Sequence, residues 1–413
     1  MAQVNITLTQ EEILQVLTGN RDNALTFLIE RILNEIMKAE SEEQLGASKH
    51  ERTDERQDYR NGVRERALNT RIGTLTLSVP RHRNEPFHTM VFEQYKRSEA
   101  SLIATMVQMV IEGVSTRKVE KVVQTLCGTS FSKSTVSKLC QRLDVEIEKF
   151  RTRSLEYIDS PFVMVDATYF KAREDHAIKS KAFLVALAIK SDGTREVLDF
   201  AVYDTEDNYS WRDFFENLKD RSLKNIKVVI SDAHKSIRKA VAEVYPEAAW
   251  QRCQVHLQRN IIELTAPKYK EGLKVELRRM FQAKDREEAT RLKDEIIKDY
   301  EDVAPKAMEI LDKGFEDSMT VMCLPDYIRV VLRTTNVLER LNRELKRRSD
   351  VIQVFPNKES VLRLMGAVTI EYSDIQSSKQ RLFKEEKYEE IKEDISSKFA
   401  DIAKTQVALL KAA

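Results

Sequence analysis

The chain has 413 residues, 42% hydrophobic and 33% charged, and its 68 Lys plus Arg nearly cancel 67 Asp plus Glu, leaving a formal net charge of +1. That length favours roughly two to four domains over one core, and the balanced charge excludes a globally basic nucleic-acid binder, so any basic footprint must be local. Four scattered cysteines (Cys127, Cys140, Cys253, Cys323) exclude a disulfide framework, and the absence of a long apolar run or of a signal-like start points to a soluble, cytoplasmic chain without a membrane partner.

In "TLTQEEILQVL" Thr9 and Glu12 have capping-box spacing, and residues 10–45 read as helix broken by "TGNRDN" before a polar linker at 47–58. Within "YRNGVRERALNTRIGTLTLSVPRHR" (59–83), Leu75, Leu77 and Val79 alternate with Thr74, Thr76 and Ser78, which predicts one short strand in a basic frame. Arg60, Arg64, Arg66, Arg71, Arg81 and Arg83 there oppose only Glu65, a local balance of +5 that suits a phosphate tracker or a minor-groove arm. Residues 98–112 and 115–126 read as helices, Gly128 marks a turn, and Ser132 caps a third helix. An ordinary helical hairpin and a helix-turn-helix both fit; in the second, Lys133, Ser134, Thr135, Lys138 and Arg142 face DNA.

After Pro161 the pattern changes. "FVMVDATYF", "AFLVALAI" and "REVLDFAVYD" read as strands, with a hairpin signal at Asp192 and Gly193. A helix near 209–221, the strand "IKVVIS" and a helix from about 235 follow, whereas 254–350 contains nothing strand-like and the charged tail from 358 is helical. Three hairpin strands followed by α/β alternation predict a mixed sheet with helices packed on it. That is the pattern of an α/β RNase H-like mixed-sheet core interrupted by an all-α insertion, with mainly α N-terminal DNA-binding domains and an α-helical C-terminal tail.

Asp166 follows "FVMV" and Asp232 follows "VVIS", so strands deliver both carboxylates. Each alone reads equally as an acid that ends a strand or caps the next helix. On neighbouring strands they converge at a sheet edge, where like charges call for a cation, and hard oxygen ligands suit Mg²⁺ or Mn²⁺. Two such ions can activate water or a sugar hydroxyl and stabilise the leaving oxygen of a phosphodiester. In "RTTNVLERLNRELKRR" (333–348), Asn336 is read as the cap of a helix that carries Glu339 and, one turn on, Arg343; a solvated amphipathic helix is the competing reading.

Together "VDATYFKAR", "VVISDAHKS", "WQRCQVHLQRN" and "RTTNVLERLNRELKRR", with the basic segment upstream, resemble the Mutator-type transposases of bacterial insertion sequences over roughly residues 45–370. The resemblance implies a DDE transposase in which Asp166, Asp232 and Glu339 are catalytic and bind two Mg²⁺ ions, with Mn²⁺ able to substitute. It also implies double-stranded DNA as partner (terminal inverted repeats and target), a homodimer or higher homo-oligomer, and a circular DNA intermediate. Ser236 stands where family members often have glycine. Cys253 and His256 match the family's Cys-x-x-His element.

Those two residues are half of a zinc ligand set with no second half nearby, so packing or DNA shaping is the better reading. Trp250 beside Arg252 is read as core, or as a platform for a displaced base. His234 is expected to orient Asp232 or to meet the scissile phosphate region, and Arg343, Lys346, Arg347 and Arg348 to contact DNA. The expected divisions are a helical region (1–58), a basic strand-containing segment (59–97), a helix-turn-helix-like region (98–155), the first part of the core (156–255), the helical insertion (256–332), the second part of the core (333–370) and the tail (371–413). The expected function is DNA transposition on chromosomal or plasmid DNA; the alternatives are a non-catalytic DNA-binding regulator and a general RNase H-like nuclease.

Overall fold

The structure is a computed structural model that describes residues 10, 21–49, 51, 53, 56–70, 72–89, 91–92, 100–127 and 131–412. Thr9, Glu12, Arg71 and Gly128, each singled out from sequence, lie outside the described residues. The chain divides into two compact units, residues 1–142 and 143–413. That division falls before the helix at 143, whereas the sequence reading expected a boundary at 155.

In the first unit, α1 (Arg21–Leu45) packs on an antiparallel hairpin of β1 (Arg60–Thr70) and β2 (Gly73–His82). Leu75, Leu77 and Val79 of β2 are buried with Met37 of α1. The outer edge of β2 is covered by that helix, because Glu30 Oε1 accepts the Thr76 N–H (2.5 Å) and Asn34 Oδ1 accepts the Ser78 N–H (2.8 Å). Only β2 was legible in the sequence. In β1 arginines stand opposite the buried residues of β2, Arg64 opposite Val79 and Arg66 opposite Leu77, with Arg66 half-buried and Arg64 exposed, which hides the apolar alternation. Further on, α2 (Ala100–Ile111), α3 (Thr116–Cys127) and α4 (Lys133–Cys140) share a small core of Ile103, Met106, Val119, Val123 and Val136. Ser132 caps α4 as expected, its Oγ accepting the Thr135 N–H at 3.2 Å.

The second unit opens with α5 (Leu143–Thr152) and then builds a five-stranded sheet from β3 (Phe162–Glu174), β4 (Ala177–Ile189), β5 (Arg195–Tyr203), β6 (Val228–Ser231) and β7 (Ala249–Arg252), in the order β5-β4-β3-β6-β7. β3, β4 and β5 are antiparallel neighbours, while β6 pairs parallel to β3 and β7 parallel to β6. The β3–β4 turn uses Asp175 and His176 at φ 49° and 64°, conformations that short polar residues tolerate.

The strands are apolar on both sides because both faces are covered. On one face, Val163, Val165, Leu184 and Val229 meet Trp211, Phe214 and Phe215 of α6 (Asn208–Asp220) and Ile237 and Val241 of α7 (Lys235–Val244). Four helices, α8 (Gln254–Glu263), α9 (Pro267–Phe281), α10 (Arg286–Tyr300) and α11 (Pro305–Ser318), form the insertion around their own core of Leu257, Leu277, Ile296, Leu311 and Phe315. The short α12 (Asp326–Leu332) then leads back to α13 (Asn336–Ser349) and α14 (Lys358–Ser377), which cover the second face of the sheet. α15 (Glu385–Glu389) adds Tyr388 against Phe162. α16 (Lys392–Ala412) closes the edge of the sheet: Gln406 Oε1 accepts the Trp250 N–H and Gln406 Nε2 donates to the Trp250 carbonyl, both at 2.8 Å, taking the place of a missing sixth strand. Among the described residues, no helix is long and apolar enough to cross a membrane.

The close approach of α14 to the sheet requires Gly366. A Cβ there would stand 2.5 Å from Phe200 Cε2, and that ring is fixed by stacking between Phe150 and Phe183. Gly366→Ala is expected to lower the unfolding free energy by about 1–3 kcal/mol, measured by urea denaturation of the full chain.

Candidate active site

The register of the parallel pair sets the site. β6 runs beside β3 at a constant offset of 66 residues, with Phe162 opposite Val228, Val163 opposite Val229 and Met164 opposite Ile230. Asp232 follows Asp166 by the same 66 residues, so continuing the register brings the two carboxylates opposite each other. Val163, Val165 and Val229 point into the α6/α7 core, and strand alternation therefore turns Asp166 and Asp232 to the α13/α14 face. One expectation is corrected. Asp166 lies inside a 13-residue strand rather than at its end, because antiparallel pairing with β4 continues to Glu174; what ends near Asp166 is the parallel neighbour, whose last residue is Ser231.

Each carboxylate has fixed partners. Asp166 Oδ2 accepts from Asn342 Nδ2 of α13 (2.8 Å), and Oδ1 accepts its neighbour's N–H at Ala167 (2.9 Å). Asp232 Oδ1 accepts the His234 N–H (3.1 Å) at the start of α7, so His234 orients Asp232 through its main chain. Burial, and then the charge of Asp232, push the Asp166 carboxyl up to about 7 against the opposing pull of His256.

Glu339 sits in the first turn of α13, as the sequence suggested, but the cap is Thr335 rather than Asn336, and Thr335 makes no side-chain cap bond to its own helix. Its hydroxyl donates instead to Cys253 Sγ. Glu339 Oε1 lies 3.4 Å from His256 Nε2 and 3.4 Å from Arg259 Nη2, both on α8. The Cys253 thiol holds the His256 imidazole above its ordinary range in opposition to burial, with Asp166 and Glu339 adding to the rise.

Three residues of this neighbourhood were not found from sequence: Asn342, Arg259 and Glu206. Asn342 and Arg259 follow Glu339 and His256 by three residues on their helices, a spacing that signals a shared face. Glu206, just before α6, carried no signal. It accepts from Trp211 Nε1 (3.2 Å) and the Tyr169 hydroxyl, lies 3.7 Å from His234 Nδ1, and its charge adds to the rise at Asp166.

Several expected contact residues are tied into the protein. Trp250 is 5% exposed and donates Nε1 to Ser231 Oγ (2.8 Å), so it is a core residue and no base platform. Arg252 is half-buried beside Gly314, where a Cβ would meet its guanidinium at 2.3 Å; burial lowers its pKa against the charges of Asp317 and Asp232. Arg348 is 5% exposed and, like the exposed Arg347, is paired with Glu344, so Arg348 is unsuited to DNA contact. Those two arginines, led by Arg347, bring the Glu344 carboxyl down to about 2. Arg343 is exposed, and Lys346, also exposed, reaches the Tyr169 carbonyl.

In the first unit, Arg60 donates to the carbonyls of Ala47 (2.8 Å) and Ser48 (3.1 Å), and Arg66 stacks on Phe92 at 3.9 Å. The basic frame is thus partly structural, leaving Arg64, Arg81 and Arg83 exposed. Lys133, Ser134, Thr135, Lys138 and Arg142 are all exposed on or just after α4.

The donor chemistry at the aspartates fits a divalent cation. Two like charges share one face of adjacent strands, one of them buried enough to hold its proton near neutrality. Two buried polar atoms beside them, Asn342 Oδ1 and His234 Nδ1, make no hydrogen bond. Glu339 is engaged with α8 instead, and among the described residues no three His, Cys, Asp or Glu side chains converge as a ready-made metal cluster.

Comparison with known proteins agrees with the earlier resemblance. The family described as "Transposase, Mutator family" matches residues 1–377. A transposase for insertion sequence element IS256 in transposon Tn4001 of Staphylococcus aureus is 39% identical over 377 residues, covering 91% of this chain and 96% of that protein. The transposase for ISRM5 of Rhizobium meliloti is 40% identical over 86% of this chain and 89% of its own length. That for IS1081 of Mycobacterium tuberculosis is 33% identical over 91% and 90%. The Mos1 strand transfer complex aligns with 40% of this chain and 60% of that chain at 9% identity and a TM-score of 0.15, too low to bear on the fold.

The raised Asp166 predicts a pH-dependent stability. A carboxyl whose folded pKa lies near 7 contributes stability below its unfolded value of 3.8 that is lost as pH rises through 7. In metal-free buffer, Asp166→Asn is therefore expected to be more stable than the wild type at pH 8, by up to about 4 kcal/mol, and indistinguishable from it at pH 4, measured by thermal unfolding.

Proposed function

The chain belongs to the Mutator family of transposases, and on that premise we propose that it is a DDE-type DNA transposase with an RNase H-like catalytic core. It binds the terminal inverted repeats of an insertion sequence, hydrolyses the phosphodiester at each end to release a 3′-hydroxyl, and transfers that strand to target DNA. The observation that carries this reading is the in-register pair Asp166 and Asp232 on one face of adjacent parallel strands. The strand order β5-β4-β3-β6-β7, with three antiparallel strands followed by two parallel ones, supports the RNase H-like assignment.

A divalent cation, Mg²⁺ or Mn²⁺ and two per site in the fullest form, held by Asp166 and Asp232 with Glu339 completing the set, would supply Lewis-acid activation of the scissile phosphate and the attacking oxygen. The remaining residues position these groups. The Asn342 amide and the Ala167 N–H fix both oxygens of Asp166, and the His234 N–H fixes one oxygen of Asp232. Strand and helix placement gives these groups the rigidity that in-line displacement requires. Arg259 beside Glu339, and Arg343 and Lys346 further along α13, add exposed positive charge suited to DNA phosphates. In the first unit, the exposed residues around α4 would read the end sequence and Arg64, Arg81 and Arg83 would follow the backbone. Synapsis of two ends calls for at least a dimer, and a circular intermediate fits single-strand cleavage at one end followed by joining to the other.

Incubating the full chain with candidate inverted-repeat duplexes and Mg²⁺, with strand-specific mapping of nicks, tests the reading. Asp232→Asn is expected to reduce cleavage at least ~100-fold while end binding persists. A wild type that binds ends but never cuts them, with either ion, would make the protein a regulator; cutting of RNA–DNA hybrids without end preference would make it a general nuclease. Lys138→Ala is expected to weaken end binding and, if Lys138 contacts phosphate, to lower the slope of log affinity against log salt by about one.

A further inference from the structure

The Cys-x-x-His element has no role in the chemistry above, and its surroundings are unusual. Cys253 is 0% exposed and sits between the end of β7 and the start of α8. Its N–H donates to the carbonyl of Ser231 (2.7 Å), the residue before Asp232. Its Sγ accepts from both the N–H (3.4 Å) and the hydroxyl (3.5 Å) of Thr335, the cap residue of α13. The Thr335 carbonyl in turn accepts the Glu339 N–H (3.0 Å). Next to this link, the Gln254 N–H donates to the Arg333 carbonyl at 2.9 Å, so a second bond ties the start of α8 to the segment leading into α13. One turn along α8, His256 lies 3.4 Å from the Glu339 carboxylate.

We propose that Cys253 is a positioning residue, a cap supplied in trans to the helix that carries Glu339, which sets that carboxylate in register with Asp232. The inference rests on the transposase reading above for its consequence in catalysis, but on these contacts alone for the clamp. Thr, as a preferred cap residue, ordinarily turns its hydroxyl to the amides of its own helix. Here that hydroxyl crosses to a residue 82 positions earlier in the chain, and the sulfur takes both of its available donors. The need follows from topology. Asp232 and Glu339 are separated by the whole helical insertion, so chain connectivity places no restraint on their relative position, and the clamp bypasses the insertion by joining its two ends. His256 then holds the Glu339 side chain from the same short motif, which explains why cysteine and histidine occur one helical turn apart with no further zinc ligands.

The test uses the full chain and two independent readouts. The first is amide hydrogen exchange in the metal-free protein, resolved at Thr335 and the first turn of α13. Cys253→Ala is expected to accelerate exchange there by at least about tenfold, the equivalent of one modest hydrogen bond, and Cys253→Ser to restore most of the protection. The second is single-turnover cleavage of an end duplex. Cys253→Ala is expected to slow it about 10- to 100-fold, to raise the Mn²⁺ concentration needed for half-maximal rate, and to leave end binding unchanged, with Cys253→Ser again recovering most of the loss. Thr335→Val, which leaves Cys253 intact, is expected to give part of the same defect and to add little to Cys253→Ala. Unchanged exchange at Thr335 in Cys253→Ala overturns the clamp, as does cleavage by that variant at the wild-type rate. Equal losses in Cys253→Ser and Cys253→Ala also overturn it, because they assign the effect to the volume of sulfur rather than to its lone pairs. If the wild type itself cuts no DNA, the transposase reading fails, and the exchange measurement, which needs no substrate, still decides the clamp.

Discussion

Two carboxylates facing each other from adjacent parallel strands, in a partly dehydrated site, repel, and most of the second unit can be understood as the framework that holds them there. Asp166 and Asp232 would separate if either could move, but β3 is paired on both sides and β6 is pinned between β3 and β7. Apolar layers on both faces of the sheet, with α6 and α7 on one and α13 and α14 on the other, make displacement of either strand costly. The cost of holding the pair there appears as the raised affinity of Asp166 for a proton, which burial causes first and the charge of Asp232 second. Active sites commonly trade stability for such preorganisation.

The proposed third acid is brought in differently. Glu339 belongs to a helix separated from the strands by four insertion helices with a core of their own, and contacts join the two ends of that insertion next to it. In the structure Glu339 is engaged by His256 and Arg259 of α8, so the first helix of the insertion is in direct contact with it.

Much of this was legible in the sequence, and the parts that were not share a cause. The long apolar runs gave β4, β5 and β6, and the spacing of 66 residues between the aspartates proved to be the register offset of their strands. β7 was missed because "AWQR" is short and half polar; Gln251 is nonetheless buried, donating to the Ser318 carbonyl and accepting the Val321 N–H from the far end of the insertion. β1 was missed because arginines, not apolar residues, stand opposite Leu77 and Val79 of β2. Counting charge overstated the basic surface for the same reason: Arg60, Arg66 and Arg348 are consumed by carbonyls, an aromatic ring and a glutamate within the fold. Composition records how many charges a segment holds, whereas only tertiary structure records where their partners are. The cap of α13 was misread by one residue because the partner of Thr335 lies 82 positions away.

The seal on the open edge of β7 has a consequence for the birth of the protein. The Trp250 N–H is satisfied by Gln406, 156 residues later, whereas its carbonyl is shared between Gln406 and Thr320, so on a growing chain that one amide lacks its partner until residue 406 has been added. A chain that stopped before that point would keep every strand of the sheet and leave this amide open to intermolecular pairing.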